Sequence, residues 1–204
     1  FSLTLQLTPP YSLFNDKDYS KLEDQEKYKF IEYHKWKFSA AWFTPLAWNK
    51  LVLHARANFG FLGYYDKGIG QSPFERFYLG GDGLSGFSLD GREIIAQRGY
   101  PNNSLNPRGG GTIYDKYTME LRFLFSRRRR DTIYVMGFLE AGNAFGRFRE
   151  YSPFDVKRAA GAGVRIFLPM FGLLGLDWGY GFDNVPGLPN RNGGEFHFTI
   201  GQQF

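Results

Sequence analysis

Residues 174–182 read Leu-Gly-Leu-Asp-Trp-Gly-Tyr-Gly-Phe, and this short stretch decides the fold class of the chain. Every second residue is a large apolar or aromatic side chain, and the positions between hold three glycines and one aspartate. Successive side chains of a β-strand point to opposite sides of the sheet, so a period of two indicates a strand with two unlike faces. The stretch therefore predicts a strand with one apolar face and one face of glycines and a polar residue.

The same alternation recurs along the rest of the chain. The other segments that show it are residues 1–8, 36–44, 51–61, 117–125, 133–143, 160–168 and 196–204. The pattern is weakest in residues 133–143, where Met136 and Phe138 fall on the same face as Tyr134 and Glu140. Eight such segments predict an all-β chain built as an antiparallel sheet.

The connections between these strands alternate in length. Residues 45–50, 127–131 and 169–172 form short connections, whereas residues 9–35, 62–116, 144–158 and 183–194 form long polar ones. Outer-membrane barrels have short turns on the periplasmic side and long loops outside the cell. A soluble sandwich has no reason to sort its loops this way, and a connection as long as 62–116 is unusual in a compact soluble domain.

The chemistry of the two strand faces points to a membrane. Large aromatic residues lie near strand ends on the apolar faces, as in an interfacial girdle; they are Trp36, Trp42, Phe59, Phe61, Tyr180 and Phe182. Charged residues occupy mid-strand positions on the opposite faces, namely Arg56, Glu120, Arg122, Glu140, Arg165 and Asp177. A basic group facing lipid at mid-depth costs ~2–4 kcal/mol, so these faces must line a hydrated or ion-paired interior. The prediction is a transmembrane β-barrel, with a soluble all-β sandwich as the alternative.

Composition excludes several other classes. The 204 residues contain no run of 18 apolar residues, so a transmembrane helix is not expected. With no cysteine, the chain has neither disulfides nor cysteine-ligated metals. The three histidines, His34, His54 and His197, lie far apart in sequence without metal-ligand spacing.

The sequence shows no catalytic or nucleic-acid-binding pattern. The net charge is +5, but outside residues 127–130 the basic residues are spread along the chain, so no nucleic-acid partner is expected. Ser85, Ser88 and Asp90 have no arrangement of nucleophile and base. We expect no enzyme activity, no cofactor and no metal site. Because Phe1 already begins a strand without an initiator Met or signal peptide, we also expect a fragment or a processed product.

Two motifs in the longest connection resemble a known family. Residues 73–81 read Pro-Phe-Glu-Arg-Phe-Tyr-Leu-Gly-Gly, and residues 97–101 read Gln-Arg-Gly-Tyr-Pro. Together they resemble the sixth extracellular loop of the BamA family, in which an aromatic stretch with Gly-Gly precedes an Arg-Gly-aromatic tip. That family usually has Val or Ile where this chain has Gln97. Other stretches that resemble the family, in the same order along the chain, are residues 119–123, 139–145, 161–165 and 198–204.

The resemblance implies a larger architecture. Residues 1–204 would be the C-terminal half of a sixteen-stranded antiparallel transmembrane barrel, lacking the first eight strands and the periplasmic domains. The extracellular loop 62–116 would carry the tip, which consists of Gln97, Arg98, Gly99 and Tyr100.

A loop that folds back into its barrel needs an anchor, and the tip offers one. Arg98 has five fixed donors that can grip a carboxylate, and Glu120 and Glu140 lie inward by parity on adjacent strands. Gly99 permits a close backbone turn, and Tyr100 can wedge against the barrel wall. The residues alone leave a second interpretation open, in which Arg98 is a solvated loop residue and the two glutamates line a water-filled lumen. The resemblance to the family favours the anchor.

The resemblance also implies a function. A BamA-type insertase folds and inserts β-barrel proteins into the bacterial outer membrane by lateral opening, in which the last strand leaves the first and templates an incoming strand. The residues of this lateral seam strand and C-terminal signal would be Phe196, Phe198, Ile200, Gly201 and Phe204. Expected partners are the lipid bilayer and lipopolysaccharide, unfolded outer-membrane clients and accessory assembly lipoproteins. The alternatives are a secretion transporter of the same superfamily that exports one client, and a small standalone barrel or adhesin.

Overall fold

A computed structural model describes residues 1–15, 17–48, 50–83, 91–127, 132–168, 172–185, 187 and 193–200. The strands in these ranges are β1 (Ser2–Leu7), β2 (His34–Ala47), β3 (Leu51–Gly63), β4 (Phe77–Leu79), β5 (Glu93–Ile95), β6 (Ile113–Arg127), β7 (Thr132–Phe145), β8 (Lys157–Leu168), β9 (Gly172–Gly181) and β10 (Gly193–Ile200). Short helical turns lie at Tyr11–Phe14, Tyr19–Lys21, Asp24–Lys27 and Phe148–Glu150. Within the described ranges, no helix is long and apolar enough to cross a membrane.

Eight of the strands form one antiparallel sheet in the order β1-β2-β3-β6-β7-β8-β9-β10. Each predicted segment corresponds to one of these strands, so the prediction of an all-β antiparallel fold is confirmed. Several strands extend beyond the predicted ends: β2 begins at His34 and β6 begins at Ile113. The connection that the sequence places at 62–116 therefore spans residues 64–112. β1 and β10 form the two edges of the sheet.

The two faces of this sheet differ as the alternation predicts. On the outer face, large apolar side chains remain exposed, among them Trp42, Leu139 and Leu176. Leaving such a side chain in water forfeits roughly 1.5–3 kcal/mol of burial, which makes a broad exposed apolar face unfavourable in a soluble protein. On the inner face, Met136 and Phe138 are buried together with charged neighbours.

The long connection 64–112 covers the inner face and creates the core there. Side chains of the connection and of the sheet share one buried cluster, which consists of Leu62, Phe77, Leu79, Tyr100, Leu105, Tyr114, Ala144, Ala159 and Val185. Within the connection, β4 and β5 form a short parallel pair that the sequence analysis did not predict, since three residues are too few to show alternation. The core thus lies between this loop and the inner face of the eight-stranded sheet, which we call the wall, on the side away from the exposed aromatic face.

Candidate functional site

The loop tip lies buried against the inner face of the sheet. Gln97 and Arg98 are fully buried, Tyr100 is 1% exposed, and Gly99 is buried with them. The chain reaches this depth after β5, where Gln97 forms a β-bridge with Gly81 on the other arm of the loop. The backbone of the loop therefore sets the depth at which the Arg98 side chain meets the wall.

Arg98 contacts three carboxylates from three strands of the wall. Its Nη2 donates to Glu120 Oε1 at 2.6 Å and to Glu140 Oε1 at 2.8 Å, and its Nε donates to Glu140 Oε1 at 3.2 Å. Its Nη1 lies 3.5 Å from Asp177 Oδ2 on β9. The guanidinium also stacks 3.7 Å from the ring centroid of Phe138, a favourable cation–π contact. We call Arg98, Glu120, Glu140 and Asp177 the tip cluster.

The tip cluster holds Arg98 in its charged form. Burial by itself would lower the pKa of Arg98, but the carboxylates of Glu140, Glu120 and Asp177 outweigh it and raise the pKa above its ordinary value. The backbone N–H of Arg98 donates to Glu140 Oε2 at 2.8 Å, so Glu140 grips both the main chain and the side chain of this residue.

Each carboxylate of the tip cluster also has a cation from the wall. Glu120 pairs with Arg122 at 2.6 Å, and Glu140 pairs with Lys116 at 3.2 Å. Both Nη atoms of Arg165 donate to the Asp177 carboxylate, each at 2.6 Å, in a bidentate ion pair. The wall carboxylates are therefore compensated by wall cations as well as by the loop arginine.

The tip backbone rests directly on glycines of β9. An added Cβ at Gly179 would lie 2.7 Å from the nitrogen of Gly99, and one at Gly181 would lie 2.6 Å from its oxygen. Gly99 itself has φ of +84°, a conformation that favours glycine, and a Cβ there would lie 2.9 Å from the Cβ of Ala159. Alternate glycines on one face of a strand mark a place where another backbone approaches closely, and this signal in residues 175–181 was missed in the sequence analysis.

Tyr100 and Gln97 fix the two sides of the tip. The Tyr100 hydroxyl donates to the carbonyl oxygen of Arg158 at 2.7 Å and accepts from the backbone N–H of Asp183 at 3.2 Å. Burial raises the pKa of Tyr100 to about 12. Gln97 donates through Nε2 to the carbonyl oxygen of Lys157 at 2.6 Å, which a Val or Ile at this position would not do.

His197 is a further tip contact that sequence reasoning missed. It lies on β10, paired in register with Asp177, and is 4% exposed. The backbone N–H of Gly99 donates to His197 Nε2 at 2.8 Å. The three histidines lie far apart in the chain, and no spacing rule connects two residues 98 positions apart, so no local pattern points to this contact.

A second group of ion pairs holds both arms of the loop where β4 and β5 begin. Lys35 on β2 is 1% exposed and pairs with Glu93 at 2.8 Å and with Glu75 at 3.2 Å. Lys37 pairs with Glu93 at 3.1 Å. The Lys35 ammonium also lies 4.8 Å from the ring centroid of Phe77. We call Lys35, Lys37, Glu75 and Glu93 the β2 clamp; the loop thus meets the wall through arginine on one side and through glutamates on the other.

The predicted seam residues are only partly within the described chain. Phe196, Phe198 and Ile200 point outward from β10 and are 74%, 48% and 52% exposed. Gly201 and Phe204 lie outside the described residues. The structure brings Arg98 together with Glu120 and Glu140; the anchoring role assigned to these residues and the seam role of β10 stay predictions.

The described site offers ion pairing and hydrogen bonding across a loop–wall contact. Among the residues that the structure describes, no group of three or more His, Asp or Glu side chains is placed to hold a metal ion. The chemistry it supports is reversible attachment of a loop to a strand wall, because every contact is non-covalent.

Comparison with known proteins agrees with this architecture. A sequence-family model described as the Omp85 superfamily domain matches residues 25–204. No curated protein matches the chain. Among solved structures, the crystal structure of BamA from Haemophilus ducreyi lacking POTRA domains 1–3 aligns with a TM-score of 0.60 and 16% identity, over 82% of this chain and 34% of that one. The chain thus spans about a third of that protein, and an identity this low shows a common fold alone.

Proposed function

Because the chain belongs to the Omp85 superfamily of the bacterial outer membrane, we propose that it forms the C-terminal half of the barrel of an outer-membrane protein insertase. Family membership supports a role in outer-membrane protein assembly. Features of the sheet support the proposed sixteen-stranded barrel and its lateral opening.

The free edges of the sheet support half of a larger barrel. In the described ranges, β1 pairs with β2 alone and β10 pairs with β9 alone. A self-contained eight-stranded barrel would pair its first and last strands, and its interior would be filled by its own side chains. Here the inner face instead accommodates a loop with its own two-stranded unit, β4 and β5. These features favour additional strands over the standalone barrel.

The observation that carries the insertase proposal is the contrast between a fixed wall and an edge strand. The tip cluster joins the loop to β6, β7 and β9, whereas β10 is the last strand of the described sheet and would pair with the first strand of the complete barrel. When that pairing opens, the edge of β10 would present unpaired N–H and C=O groups, which pair readily with an extended segment of another chain. A client strand that pairs there satisfies its backbone inside lipid, so no nucleotide is needed to drive the step.

The proposed partners follow from the same picture. The exposed apolar outer face would contact the lipid bilayer and lipopolysaccharide, and the free edge of β10 would contact unfolded outer-membrane clients. Accessory assembly lipoproteins would bind parts of the protein beyond this chain. A secretion transporter of the same superfamily shares the loop tip, and the number of periplasmic domains in the full protein would distinguish it.

A reversible crosslink tests lateral opening. In the full-length protein, Phe198→Cys on β10 would be paired with a cysteine facing it on the first strand of the barrel. We expect oxidation to abolish insertion of a client barrel into vesicles and reductant to restore it, while oxidant does not change the insertion rate of either single-cysteine variant. Undiminished insertion with the two strands covalently joined would show that the seam does not open.

A further inference from the structure

His197 links the loop tip to the strand at the proposed seam. The other tip contacts described above reach β6, β7, β8 and β9, which lie inside the sheet. The bond from the Gly99 N–H to His197 Nε2 reaches β10, the edge strand. Among the hydrogen bonds of the described residues, this is the one that joins a β10 side chain to the loop.

The direction of this hydrogen bond fixes the protonation state of the ring. The backbone N–H of Gly99 can only donate, so Nε2 must accept, and the neutral imidazole then carries its proton on Nδ1. A protonated imidazole has N–H groups on both nitrogens, and two donors would face each other at 2.8 Å. The charged groups that act on the ring come from each neighbouring element; they are Asp177 on β9, Glu140 on β7, Asp82 and Arg98 on the loop, and Glu195 on β10.

We propose that His197 is a positioning residue that couples the loop tip to β10, holding the two together while the imidazole is neutral and releasing them when it is protonated or removed. The buried N–H of Gly99 lies close against β9, because a Cβ added at Gly179 would come within 2.7 Å of the Gly99 nitrogen. The importance of this coupling for client insertion rests on the proposed function, since β10 matters only if the seam opens. The contact itself is testable without any client.

Release of the tip can be followed with a single cysteine. The chain contains no cysteine, and Ala96, one residue before the tip, is 7% exposed, so Ala96→Cys is shielded while the tip is docked. Full-length protein in detergent would be labelled with a maleimide, and the rate divided by that of Phe154→Cys, a residue that is 91% exposed. This ratio cancels the pH dependence of the thiol, and with fast reclosing it reports the open fraction of the tip.

Two substitutions of His197 separate hydrogen bonding from titration. Leucine removes the acceptor, and we expect the labelling ratio to rise about tenfold at every pH, as the loss of one buried hydrogen bond predicts. Glutamine retains an acceptor but does not titrate, so His197→Gln should keep a low ratio throughout. The unsubstituted protein should behave like the glutamine variant at about pH 8 and approach the leucine variant at about pH 5, across the range in which histidine ordinarily titrates.

Two results would overturn the proposal. One is a His197→Leu ratio equal to that of the unsubstituted protein at every pH. The other is an acid-induced rise in His197→Gln as large as in the unsubstituted protein, which would assign the titration to the surrounding carboxylates. Retained heat-modifiability of each variant on gels would show that the barrel is folded. If the labelling ratio responds as expected while the seam crosslink leaves insertion intact, the coupling holds and the insertase proposal fails. If the crosslink abolishes insertion while the labelling ratio does not respond to His197 substitution, the insertase proposal holds and the coupling fails.

Discussion

Replacing Arg98 by methionine tests the tip cluster directly. Methionine retains an unbranched apolar stem but removes the charge, both side-chain hydrogen bonds to Glu140, the bond to Glu120 and the 3.5 Å contact with Asp177. The backbone N–H of residue 98 still donates to Glu140. The substitution thus removes the side-chain ion pairs and keeps the backbone bond of residue 98.

The structure sets the magnitude of the expected loss. Breaking a buried ion pair costs about 3–5 kcal/mol when the remaining charge is left uncompensated. Here Glu120, Glu140 and Asp177 keep Arg122, Lys116 and Arg165, so the lower end of that range applies. A loss of about 3 kcal/mol corresponds to a roughly 150-fold larger open fraction of the tip. The Ala96→Cys labelling ratio measures this fraction.

Double-mutant cycles then measure the coupling of Arg98 with each carboxylate; these free energies sum to more than the loss in Arg98→Met, because removing the buried guanidinium also removes its own desolvation cost. We expect the coupling free energy between Arg98→Met and Glu140→Gln to be the largest, at about 3 kcal/mol, because two side-chain bonds join this pair. Coupling with Glu120→Gln should be about 2 kcal/mol for one short bond, and coupling with Asp177→Asn about 1 kcal/mol or less at the longer distance. Zero coupling with Glu140, or coupling with Asp177 above that with Glu140, would refute the anchor.

Two further substitutions probe other parts of the loop–wall contact. Gly181→Ala should raise the labelling ratio about tenfold, because its Cβ would lie 2.6 Å from the oxygen of Gly99. Gly137→Ala is the control, because its Cβ would meet nothing nearer than 3.9 Å, and it should leave the ratio unchanged. Equal effects of the two substitutions would contradict the close approach of the tip to β9. Lys35→Met removes the pairs that the buried Lys35 ammonium forms with Glu75 and Glu93. We expect it to speed tryptic cleavage after Arg92 by at least roughly fivefold, as for a loss of about 1 kcal/mol or more. The exposed Lys21→Met, which loses only a surface pair with Asp18, is its control, and a comparable acceleration there would show that the β2 clamp is not responsible.

The sequence by itself determined the strands and their two faces. Alternation over residues 174–182 is a local property, because a strand places successive side chains on opposite sides whatever it packs against. The same parity put Glu120 and Glu140 on the inner face of adjacent strands, and the Arg-Gly-Tyr motif singled out Arg98. Parity fixed the face of each glutamate, whereas the pairing with Arg98 was expected only from the resemblance to the BamA family, because the residues alone also left open a solvated Arg98.

Only the tertiary structure decided which other residues meet the tip. Asp177 lies 79 positions beyond Arg98, and His197 lies 98 positions beyond Gly99. Both meet the loop because β9 and β10 complete the wall beside it. The β2 clamp joins Lys35 to Glu75 across 40 positions for the same reason. Such contacts depend on the register of the strands and on the path of the loop over them, and both are set by packing of the whole sheet, which no local pattern encodes.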